Sequence, residues 1–234
     1  MTAPDPLPGR QLRFADAGEA AGLAAFLARL IHYDRAAVVR LQTGGGVLAV
    51  FGRPPSFEVL AIRTARLLDE GVSDVTVSAG QFADAVDAGT SSGGGLVVDL
   101  PPGVTGPPWT GVLPPRGGWR RVAGMPDAAA ARGAVGAAVA EFRSRDEALP
   151  EQRRTRAERD RIGREIWSRT LGETGLPLRA VHAAQSLGFL GAASVAEPPV
   201  LFAAGGWLRL WTPYGSVVVR TGGTAAGLLS VTPA

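Results

Sequence analysis

The chain has 234 residues, 46% of them apolar, and a formal net charge of +3. All 24 basic residues are arginine, and there is no lysine and no cysteine. That composition excludes a P-loop, Schiff-base catalysis, disulfides, cysteine-ligated zinc and thiolate nucleophiles. Arginine does not titrate in an accessible range, so a small excess of it raises the isoelectric point without implying a basic face.

Residues 1–10, MTAPDPLPGR, are a Pro-rich arm expected to be disordered. They lack a basic start followed by an apolar run, so no secretory leader is expected. No uncharged apolar stretch of membrane-spanning length occurs, and a cytoplasmic protein without membrane contact is expected. Leu12 to Ala15 reads as a short strand. Asp16, with Glu19 three residues on, has capping-box spacing. Leu23, Phe26, Leu27, Leu30 and Ile31 then give the helix one apolar face. Ala37 to Gln42 and Val47 to Phe51, joined through Gly44-Gly45-Gly46, read as a hairpin. Further strands are expected at Phe57 to Ile62, Val75 to Ala79 and Leu96 to Leu100, with a short helix from Gln81 to Asp87.

From Pro101 to Pro126 the composition shifts, with seven prolines and two tryptophans. A segment this long without periodicity is a linker or a functional loop. Asp127 caps the next helix, striped by Val135, Val139 and Phe142. A helix over 151–171 should fold back on it as a hairpin, ending at Gly172 and Gly175. Because residues 151–161 hold no apolar side chain larger than alanine, that half should project into solvent. Leu178 to Leu190 is a third helix. Strands at Val200 to Ala203, Trp207 to Trp211 and Ser216 to Arg220 make a small meander.

The expected fold class is α+β: an N-terminal mixed or antiparallel sheet with one or two helices, then a helical hairpin, a third helix and a C-terminal β-meander. The expected division is an arm (1–10), a sheet domain ending in the Pro-rich segment (11–125) and a hairpin-plus-meander subdomain (126–234), rather than one continuous sheet.

The order strand, helix, strands recurs over Leu12 to Ile62 and Val75 to Leu100. In topology it resembles the repeated unit of DNA sliding clamps, over less than half the chain. At the C-terminus, Leu176-Pro177-Leu178-Arg179-Ala180, Leu187-Gly188-Phe189-Leu190 and Gly206-Trp207-Leu208-Arg209-Leu210 resemble a family of uncharacterised actinobacterial proteins. That resemblance implies lineage and carries no activity.

Candidate chemistry is sparse. Gly89-Thr90-Ser91-Ser92-Gly93 matches G-x-S-x-G, but the elements around Ser91 come in the reverse of the strand-to-helix order a nucleophile elbow requires. His32 and His182 are far apart and have no metal-ligand spacing. No cofactor, metal or catalytic set is assigned, and the chain reads as non-enzymatic. The 151–169 stretch carries seven arginines against four carboxylates. Arg153, Arg154, Arg156, Arg159 and Arg161, with Arg179 on the third helix, are the candidate contacts for a partner or for nucleic-acid phosphates. Against that, Arg154–Glu158 and Arg161–Glu165 have the spacing of intrahelical ion pairs. Helix, turn, helix and two strands also resemble a winged helix, with Arg179, His182 and Gln185 on one face of the would-be recognition helix. Trp207 and Trp211 share a strand face and are expected to cover the sheet against the helices. The leading expectation is a binding or scaffold protein acting through protein contacts or self-association; nucleic-acid binding is the alternative.

Overall fold

The computed structural model describes residues 11–69, 71, 73–191 and 197–221. The expected N-terminal arm lies outside these residues. The fold is α+β, with five α-helices and two antiparallel sheets among the described residues.

β1 (Gln11–Phe14) leads into α1 (Ala17–Tyr33), whose N-terminal amides are closed by Asp16 accepting from the Glu19 amide at 2.9 Å. Leu23, Phe26, Leu27 and Leu30 form its buried face. β2 (Val38–Gly44) and β3 (Val47–Gly52) are the expected hairpin. Gly45 and Gly46 both have positive φ (59° and 70°), the conformation that a two-residue turn matched to strand twist requires. β4 (Leu60–Arg66), β5 (Asp74–Ser78), α2 (Ala79–Asp87), β6 (Thr90–Ser92) and β7 (Gly95–Asp99) complete the first half. In the second half come β8 (Arg120–Val122), α3 (Ala128–Glu147), α4 (Arg156–Trp167), α5 (Leu178–Ser186), β9 (Val200–Ala204), β10 (Trp207–Thr212) and β11 (Gly215–Arg220).

The small sheet runs β1-β7-β6 and the large one β5-β2-β3-β4-β11-β10-β9-β8. The large sheet is continuous across the two halves, because β11 pairs with β4 through Ser216↔Ile62, Val217↔Ala61 and Val218↔Leu60. The meander is therefore part of one eight-stranded sheet rather than a free wing. Alternation sorts its side chains. Val39, Leu41, Val50, Ala61, Leu210 and Val217 face the helices and join the main core. Phe51, Leu60, Ile62, Trp207 and Val218 face the other way.

That second face is covered by the Pro-rich segment, which is neither a linker nor a loose loop. It leaves the β5 edge with the Val104 amide bonded to the Thr76 carbonyl (2.8 Å) and reaches the opposite edge as β8, paired with β9. Midway, Arg40 donates to the Thr110 carbonyl (2.7 Å) while its other nitrogens hold the Asp74 carboxylate at 2.8 and 2.9 Å. Trp109, Leu113 and Trp119 pack down onto the sheet. Proline suits this strap because an extended chain with few amide donors needs no ladder of its own. Trp207 consequently packs away from the helices, under the strap, and not against them as its spacing suggests.

The 151–171 helix is shorter than its composition suggests. Glu151–Arg153 form a 3-10 turn, and α4 starts only at Arg156, because Thr155 accepts the Glu158 amide and so caps a new helix. Arg154 donates to the Leu149 and Glu147 carbonyls, both at 3.0 Å, closing the C-terminal end of α3. Bidentate pairs Arg145–Glu165 and Arg169–Glu141 lace α3 to α4 as an antiparallel hairpin. All but one of residues 151–161 are exposed, so the tip does project into solvent.

Candidate functional site

The register between β4 and β11 leaves room for an open, largely apolar site. β4 begins at Leu60, opposite Val218, so Val219 and Arg220 run on past its start. The space beside them is bounded by the loop from Arg53 to Val59, the strap at Pro108–Val112, and α5. The result is a cavity of about 380 Å³, within the usual range for ligand sites. Its walls include Trp109, Val112, Trp207 and Val218, and its charged groups are Arg53, Arg179 and Arg220 against one carboxylate, Glu58. The Arg220 guanidinium lies 5.3 Å from the centre of the Trp207 ring, a cation–π distance. Val112 is 46% exposed.

The 53–59 loop is strained. Ser56 and Glu58 both occupy left-handed backbone, with φ of 70° and 52°. Non-glycine residues adopt that region at a cost of roughly 1 kcal/mol or more each, and such strain concentrates at functional loops. It also explains why no strand forms at Phe57, as its apolar run had suggested: the chain turns twice before β4 can begin. The loop presents Glu58 to Arg179, 3.8 Å apart. The pair is long and open: the Glu58 side chain is 76% exposed, and Arg179 Nε is buried without a hydrogen-bond partner.

On the far side of that pair lies a second cleft, of about 670 Å³, where α4 meets α5. Glu58 and Arg179 line both spaces. Trp167 and Phe142 contribute aromatic surface, and Arg159 and Arg164 line it with Asp160. His182 is not a free recognition residue. It stacks on Trp167 (centroids 4.5 Å, 23°) and meets the Phe57 edge at 5.1 Å, which in turn meets Tyr33 at 6.0 Å.

Burial lowers the His182 pKa from its ordinary value. The folded chain therefore holds fewer protons than the unfolded one just below the ordinary histidine pKa of about 6.5, and stability must fall as pH drops through that value. We expect the melting temperature to decline between pH 7.5 and 5, and His182→Phe to flatten the decline. Equal slopes in the two proteins would contradict this. The Glu165 carboxyl, held down to about 2 first by its hydrogen bond from Arg145, titrates well outside that window.

Of the candidate arginines, only Arg159 and Arg179 reach these cavities. Arg153 and Arg161 both hold Glu158 (2.9 and 2.7 Å), Arg156 lies 3.8 Å from Asp160, and Arg159 donates to Asp146 at 2.7 Å. The spacing-based pair Arg161–Glu165 forms at 3.7 Å; Glu158 is taken by Arg153 and not Arg154. Arg53 and Glu58 on one loop, Trp109 on the strap and Arg220 on β11 are not among the candidates, because only the fold brings these stretches together; Arg164 lies in the arginine-rich stretch but is not a candidate there. Ser91 sits on β6 at the edge of the small sheet, in a hairpin that turns at Gly93 and Gly94. Among the described residues, no three histidine or acidic side chains converge as metal ligands, and no helix is long and apolar enough to cross a membrane.

Comparison with known proteins matches the two halves to two families. Residues 7–111 match a domain of unknown function (DUF8010), and residues 114–224 match another (DUF8185). The matches meet inside the strap. No curated protein matches the chain by sequence. Among solved structures, the fold is similar to the DNA polymerase sliding clamp of Caulobacter crescentus, at 12% identity and a TM-score of 0.48, over 96% of this chain and 69% of that one. The Pseudomonas aeruginosa sliding clamp is 12% identical with a TM-score of 0.46, over 90% of this chain and 63% of that one. The Helicobacter pylori β clamp bound to 5-chloroisatin is 8% identical with a TM-score of 0.45, over 95% and 66%.

Proposed function

We propose that this is a non-enzymatic binding protein that captures a short segment of a partner protein in the cavity at the β4–β11 strand ends. The segment carries two or three large apolar side chains beside a carboxylate. The observation that carries the reading is the pairing of Trp109, Val112, Trp207 and Val218 walls with a rim of three arginines against one glutamate. Tryptophan and arginine are the side chains from which binding hot spots are built. The weak Glu58–Arg179 contact supports the same reading, since an incoming carboxylate can replace Glu58 at little cost.

A cavity of about 380 Å³ suits a short segment better than self-association, because a stable dimer takes roughly 800 Å² from each copy. The arginines of the α3–α4 tip favour a strand of nucleic acid less. Arg153, Arg156, Arg159 and Arg161 already face carboxylates that would repel phosphates. The test is selection of displayed random peptides on the purified full chain. The expected winners combine Trp, Phe or Leu with Asp or Glu within a few positions. Selection of basic or purely polar peptides, or of none, would overturn the proposal.

A further inference from the structure

We propose that the second cleft, between α4 and α5, binds a free nucleoside mono- or diphosphate, with the base against Trp167 and Phe142 and the phosphate against Arg164 and Arg179. The cleft lies on the other side of the Glu58–Arg179 pair from the peptide cavity and shares Arg179 with it.

Three observations lead here independently. The first is Gly163, in the interior of α4 and on the wall of the cleft. Glycine is the poorest helix former after proline, so its place there calls for a reason. Packing does not supply one. A Cβ at 163 would meet the Phe142 and Trp167 rings at 3.7 Å each, ordinary contact distances, so alanine fits. What glycine does is leave the space beside both rings unfilled by a side chain, where a flat heterocycle could lie.

The second is Arg164. The other six arginines between 151 and 169 each have an ion pair or hydrogen bond within the protein. Among the described residues, Arg164 alone of the seven has none, and it lines the cleft. Arg179 lines the same cleft, and its Nε is buried without a hydrogen-bond partner. Two guanidiniums on the walls of one cleft are suited to a phosphate, which accepts their planar forks.

The third is the aromatic ladder. His182 backs Trp167 at 4.5 Å and is held in turn by Phe57, so the indole has a fixed orientation. A held ring loses little freedom when a base stacks on it, and stacking on aromatics serves every base. Asp160 and Glu58, also on the walls, can accept hydrogen bonds from sugar hydroxyls. These same carboxylates set the limit on charge. They tolerate one or two phosphates on a small ligand but oppose a strand that must run past them and past Glu158 and Glu165.

The experiment is calorimetric titration of the purified full chain with AMP, GMP, CMP and UMP, and with ribose 5-phosphate, adenosine and a ten-nucleotide single strand as separate arms. At least one mononucleotide should bind with a dissociation constant below about 1 mM, ribose 5-phosphate far more weakly. Gly163→Ala should weaken that binding by about ten-fold while the melting temperature stays the same or rises, a combination that damage to the fold cannot produce. Arg164→Gln should weaken the nucleotide by about ten-fold and leave adenosine unchanged. The proposal is overturned if no mononucleotide binds, if ribose 5-phosphate binds equally well, if neither variant alters the affinity, or if the single strand binds more tightly than every mononucleotide.

Discussion

Replacing Phe26 with alanine should cost about 3–5 kcal/mol and lower the melting temperature by roughly 10 °C, with both halves of the chain still melting together. Phe26 is 1% exposed on α1 and stacks on Phe189, whose ring centre is 5.7 Å away. Phe189 follows α5 and belongs to the second half. The pair therefore sits where the two family matches must cohere, and the main core extends without a break from Leu12 to Val219. Phe189→Ala should cost a similar amount, and the double variant less than the sum, because the two rings share one contact. A calorimetric scan of Phe26→Ala in which the second half keeps its wild-type transition would refute the single core.

Trp109→Ala and Arg220→Glu should each weaken a selected apolar–acidic peptide by ten- to a hundred-fold, about 1.4–2.8 kcal/mol. Trp109 contributes aromatic wall area, and Arg220 is one of the three arginines that line the cavity. Reversing that charge puts repulsion where the partner's carboxylate sits, so the loss should shrink as salt is raised. Arg156→Gln is the control. Its side chain is 95% exposed on α4, outside the cavity, and its removal should leave the affinity unchanged. Titrations of the three variants against one labelled peptide decide the matter; equal losses in all three would count against the cavity.

Local chemistry was legible in the sequence. Asp16, Asp127 and Thr155 all cap helices, and the first two stand out by their spacing before an apolar stripe. Thr155 is hidden in a charged run, which is why the helix reads from Glu151 although it starts at Arg156. The hairpin at Gly45-Gly46 is legible because turn and strands are contiguous. Pairings across long stretches of chain are not. Nothing local marks Ser216 to Val218 as partners of Leu60 to Ile62, so the continuous sheet was invisible, and with it the cavity that the register leaves.

The site follows the same division. Arg179 is recognisable as a charge on a mostly apolar helix, but Glu58 and Trp109 reach it through tertiary structure only. Trp207 was placed on the wrong face because alternation fixes which residues share a side, not which side meets the helices. Gly163, which interrupts a helix otherwise built of good formers, is a local mark of the cleft it lines.

The most direct test of the binding account is a crystal structure of the chain with a selected peptide. The account predicts an apolar side chain against Trp109 and Trp207, and a carboxylate hydrogen-bonded to Arg179 or Arg220 with Glu58 displaced. A peptide seated on the α3–α4 tip or on the small sheet, with the cavity at the β4–β11 strand ends still empty, would contradict it.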